Sequence, residues 1–75
     1  MNLTNRQFVL FGKMLSSNFI ATVGEYTFKI EQRVEDVYEL NQYYKGSKTL
    51  LYAGTIEKCI DTAKECVKMM YIIEN

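Results

Sequence analysis

Apolar residues recur at spacings of three and four near both ends of the chain, and at spacing two between them. Phe8, Phe11, Leu15 and Phe19 follow the helical period, with Leu10 and Met14 alongside. Such a stripe is the mark of an amphipathic helix. Thr4 and Gln7 match a capping box, in which a hydroxyl and a side-chain amide satisfy free backbone N–H groups reciprocally. Leu3 and Phe8 stand at the two positions of a hydrophobic staple. These signals predict a helix over 4–17, ended by Ser16-Ser17-Asn18 and weakened inside by Gly12.

The period then changes to two. Tyr26, Phe28 and Ile30 alternate with Thr27, Lys29 and Glu31, which predicts a strand. Val23-Gly24-Glu25-Tyr26 fits a II′ turn, with Gly24 at the first central position. If it forms, residues 19–23 make a short extra strand. Val34-Glu35-Asp36 leads into a second strand over 37–44. Lys45-Gly46-Ser47 is a turn signal, and a third strand covers 48–53.

Gly54 ends that run and Thr55 is a helix cap. Ile56, Ile60, Ala63, Val67 and Met70 step by four and three, bordered by Cys59 and Cys66. Glu57, Lys58, Asp61, Lys64, Glu65 and Lys68 fill the other face. A second helix over 55–72 follows. The fold class is therefore α+β: a helix, a three- or four-stranded antiparallel meander and a C-terminal helix, both helices on one sheet face. Residues 1–75 form one domain, with Tyr26, Phe28, Ile30, Tyr38, Leu40, Leu50 and Tyr52 facing Ile56, Ile60, Ala63 and Val67.

Composition narrows the chemistry. The 75 residues include no histidine, tryptophan or proline, and two cysteines. Without histidine there is no Ser-His-Asp or Cys-His pair and no imidazole zinc site. No catalytic, metal or cofactor-binding residues are expected. Nor is a ligand pocket of ~300 Å³ or more expected in so small a domain. Cys59 and Cys66 lie seven residues apart on one helix, about 10.5 Å along its axis, too far for a disulfide. Beside an apolar stripe they read as small core residues, with Cys59 buried.

Nine basic and nine acidic residues give zero formal net charge. Zero charge predicts weak or no nucleic-acid binding by phosphate neutralisation. No segment approaches the ~20 apolar residues of a membrane span. Lys13 and the polar residues at 16–18 interrupt the first apolar run, so no signal peptide is read and a cytoplasmic location is expected. Asn, Lys, Ile and Tyr supply 24 residues, against nine from Gly, Ala, Arg and Pro, which suggests an AT-rich genome.

Two surface features stand outside the expected core. Glu35 and Asp36 make an acidic turn at one end of the sheet. Tyr43, Tyr44, Lys45 and Lys48 make an aromatic and basic tip at the other. Adjacent strand residues face opposite ways, so at least one of Tyr43 and Tyr44 points away from the core. Tyrosine is enriched at interface hot spots, which favours the tip over the acidic turn as the partner-binding surface. Helix–strands–helix order also resembles that of the double-stranded-RNA-binding domain. That resemblance implies a lysine-rich start to the last helix, where this chain has Thr55-Ile56-Glu57-Lys58-Cys59-Ile60.

The function expected is non-enzymatic binding to a protein partner, as an accessory or inhibitor protein of a phage or mobile element of the anti-CRISPR or host-takeover type, acting in the host cytoplasm. The alternatives are a nucleic-acid-binding accessory protein and a self-assembling structural protein. The first helix is apolar nearly all round, with Val9 and Leu10 joining Phe8, Phe11, Met14 and Leu15. This points to a homodimer through that helix.

Overall fold

Thr4 opens the first helix as the pattern requires: its hydroxyl accepts from the Gln7 N–H while the Gln7 side chain accepts from the Thr4 N–H. The computed structural model describes residues 2–75. In chain order these are β1 (Asn2–Thr4), α1 (Asn5–Asn18), β2 (Ile20–Val23), β3 (Tyr26–Val34), β4 (Val37–Tyr44), β5 (Ser47–Gly54), α2 (Ile56–Met70) and β6 (Ile72–Glu74). β2 to β5 form an antiparallel meander in sequence order, so the optional fourth strand is present.

The turns follow their residues. Gly24 has φ +58° and Glu25 does not enter the left-handed region, the pattern of a II′ turn. Lys45 and Gly46 both have positive φ, +48° and +82°, as a I′ turn needs. Asp36 takes φ +63°, a conformation its short polar side chain tolerates. Phe19 ends α1 at φ +60°, its N–H bonded to the Leu15 carbonyl. An aromatic residue in that conformation is unusual, and it reverses the chain from helix into β2 within one residue.

Both helices lie on one face of the sheet. Phe28, Ile30 and Leu40 point into the core with Ala21 and Val23 of β2, and meet Phe11 and Leu15 of α1 and Cys59, Ala63 and Val67 of α2. The Phe11 and Phe28 rings meet edge to face with centroids 5.4 Å apart. Tyr26, Tyr38, Tyr52 and Ile60 pack at the margin, half-buried.

Three expectations are corrected. The first is the element list: β1 and β6 pair in parallel, Leu3 opposite Ile73, so the termini form a second, two-stranded sheet. This buries Leu3 and Tyr71, which the pattern left outside the core. The second is Leu50, which is 52% exposed. A bulge at Leu51 sets Tyr52 opposite Leu40 but Leu50 opposite Asn41, and so turns Leu50 to the uncovered face. The third is cavity size. An open groove of about 330 Å³ runs between α1 and β2, and one of about 410 Å³ lies beside Lys64.

Gly12 sits where α1 meets α2. A Cβ there would come within 2.8 Å of Lys64 Cε, the flexible end of a long side chain, and of nothing else that is rigid. Lys64 can move aside, and an interior glycine costs a helix about 1 kcal/mol relative to alanine. Gly12→Ala should therefore stabilise the fold by about 0.5–1 kcal/mol, read as a higher midpoint in urea with an unchanged slope.

Candidate functional site

With both helices on one side, the opposite face of the β2–β5 sheet is left to solvent. The register fixes what it shows. Lys29 stands opposite Asn41, Glu31 opposite Glu39, Thr27 opposite Tyr43, and Tyr43 opposite Lys48. Ile20 and Thr22 of β2 and Leu50 of β5 share this face.

Glu31 and Glu39 are like charges directly across a strand pair, an unfavourable arrangement. Each is drawn away from the other. Glu39 takes an ion pair with Arg33, which a bulge between Gln32 and Val34 leaves without a cross-strand partner. Glu31 turns the other way, accepting from the Tyr43 hydroxyl at 3.1 Å and from Asn41 Nδ2 at 3.4 Å. Asn41 is only 1% exposed. Its bond to Glu31 meets the rule that a buried polar group finds a partner.

Tyr43 is thereby held at both ends. Its hydroxyl is tied to Glu31, and the Lys48 ammonium lies 6.0 Å from its ring centroid, within cation–π range. The Tyr43 hydrogen bond is the main cause that holds the Glu31 carboxyl below its ordinary range. Lys29 and Lys48 add to it, and partial burial opposes it. A carboxyl with a depressed folded-state pKa adds stability that is present above its unfolded pKa and lost as pH falls through the folded value. Removing the donor hydroxyl with Tyr43→Phe should move the Glu31 titration upward, as followed by carboxyl carbon NMR, lower the stability at neutral pH and make its fall in acid shallower. An unmoved Glu31 titration in that variant would show that the Tyr43 bond is not its cause.

The residues singled out by sequence separate into three places. Tyr43 and Lys48 come together on the open face. Tyr44 lies on the helix side, stacked on Tyr26 with centroids 4.4 Å apart, and Lys45 reaches over its ring from the turn at 5.3 Å. Glu35 and Asp36 form the β3–β4 turn at the far end of β4, away from the tyrosines. Sequence reading missed Glu31 and Asn41 as members of the site. The available signal was parity: pairing Val34 with Val37 across a two-residue turn and continuing without interruption would set Glu31 against Leu40, mixing faces. One extra residue restores the match, and it is Arg33.

The cysteines stand apart from this surface. Cys59 is fully buried and its thiol donates to the Tyr38 carbonyl; Cys66, half-buried, donates to Gln42. Burial pushes both thiols up, which disfavours the nucleophilic thiolate. Among the described residues there is no group of three or more acidic or cysteine side chains placed to hold a metal ion. Among them too, no helix is long and apolar enough to cross a membrane. Comparison of the chain with protein-family models, with curated proteins and with solved structures gives no match.

Proposed function

We propose that this chain is a non-catalytic binding module that engages a protein partner with the uncovered face of its sheet. The observation that carries the reading is Tyr43, an aromatic side chain on an open face, already fixed by Glu31 and Lys48. A side chain ordered before binding loses little conformational entropy on binding, and tyrosine is among the residues that dominate interface energies. Lys29, Glu31, Arg33, Glu39 and Lys48 give this face both signs of charge. Mixed charge suits a protein surface of complementary pattern. It suits a uniformly anionic duplex poorly.

Glu35, Asp36 and Lys45 lie at the ends of the sheet and in this reading tune the association rate. The balanced charge and AT-rich residue usage support an accessory or inhibitor role for a phage or mobile element. In the same reading the module is a homodimer through α1, where Val9, Leu10 and Met14 remain exposed.

The test is parallel affinity capture from host lysate with wild type, Tyr43→Ala and the charge reversal Glu35→Lys with Asp36→Lys, each first shown to be folded. A protein retained by the wild type and the charge reversal but lost by Tyr43→Ala supports the reading. A partner lost only by the charge reversal moves the site to the acidic turn. Nuclease-sensitive capture replaces the protein partner with nucleic acid.

A further inference from the structure

The two edges of the four-stranded sheet are built differently. β5 carries Lys48 and the Leu51 bulge, two of the devices by which proteins keep an edge strand from pairing with another chain. β2 has neither. From Phe19 to Gly24 it holds no charge and no proline, and its pairing with β3 runs without a register shift. The Ile30 N–H donates to the Phe19 carbonyl at 2.8 Å. Antiparallel ladders alternate, so the N–H and C=O groups of Ile20 and Thr22 point away from β3 along the free edge. The groove beside this edge is lined by Leu10 and Met14 of α1, 53% and 47% exposed.

We propose that a second copy of this chain pairs antiparallel with β2 about Ala21, joining the two sheets into one of eight strands. The proposal rests on the homodimer named above and specifies its geometry. A two-fold axis at Ala21 sets Ile20 of each copy opposite Thr22 of the other, and these residues exchange four backbone hydrogen bonds. On the helix side the same axis brings Leu10 and Met14 against their counterparts. The chemistry selects a copy of the chain over an extended peptide. Four residues of strand are a short ladder by themselves, whereas a second copy supplies strand and helix layers together. Leu10, Met14 and the strand from Phe19 to Gly24 carry no charge, so the self-contact sets no like charges against each other.

Sedimentation velocity over a wide concentration range, on wild type, Thr22→Pro and Ile20→Lys, tests this together with amide hydrogen exchange. Thr22→Pro removes one outward N–H and leaves the β2–β3 backbone bonds intact, losing besides only the exposed hydroxyl contact between Thr22 and Thr27; Ile20→Lys adds charge to an exposed side chain, should Thr22→Pro fail to fold. The expected result is a wild-type dimer weakened at least about tenfold by each folded variant. The Ile20 and Thr22 amides should be protected in the dimer and fast on dilution. A wild type that stays monomeric overturns both the dimer and its geometry. A dimer that tolerates both substitutions, with those two amides fast, overturns the β2 edge alone and leaves self-association through another surface of α1.

Discussion

Phe28→Ala is expected to leave much of the chain unfolded at ambient temperature. Phe28 has no exposed surface, lies on β3 between β2 and β4, and its ring meets that of Phe11 edge to face. Truncating a buried phenylalanine costs about 3–5 kcal/mol, the lost transfer energy plus the cavity left behind. At about 0.05–0.15 kcal/mol per residue, a domain of this size has a total stability of only roughly 4–11 kcal/mol. One substitution therefore removes a large share of it. The chemical-denaturation midpoint should fall steeply, and the folded signal should be incomplete without denaturant. A loss below about 1 kcal/mol would mean that the sheet and α1 do not pack through this residue.

Gly24→Ala is the second large effect, and its cause is local. The glycine holds φ +58°, where a side chain costs about 1–2 kcal/mol. A Cβ there would also lie 2.5 Å from the Tyr71 hydroxyl. Tyr71 is 6% exposed, and burial is the main cause that raises its hydroxyl pKa. Relieving the clash moves Tyr71, which leads directly into β6, so strain in the β2–β3 turn reaches the terminal β1–β6 pair. The expected loss is about 2–3 kcal/mol, strain plus a displaced buried side chain. Phenol absorbance should titrate at lower pH as Tyr71 gains solvent. If stability falls by the strain alone and the phenol titration does not move, Tyr71 is not fixed against this turn.

The parts of the fold legible in the sequence were those with a local cause. Thr4 and Gln7 announced α1, and Thr55 announced α2. The turn residues Gly24, Asp36 and Gly46 bounded strands whose alternation was already visible. β1 and β6 have no such cause. Each is three residues long, shorter than any period, and each is held by a partner about seventy residues away. Leu50 fits the core by alternation, and only the bulge at Leu51 reverses it. The same holds for the candidate site. That one of Tyr43 and Tyr44 must face outward follows from strand geometry. That Tyr43 is the one, and that Glu31 and Asn41 hold it, depends on the register across β3 and β4 and on the extra residue at Arg33.

The partner surface proposed is the open sheet face, with Tyr43 near its β4–β5 turn. The most direct test is titration of the captured partner into isotope-labelled chain, followed by amide NMR shifts. The largest changes are expected on Thr27, Lys29, Glu31, Tyr43 and Lys48. Changes confined to the Glu35-Asp36 turn, or to the outer side of α1, would contradict it.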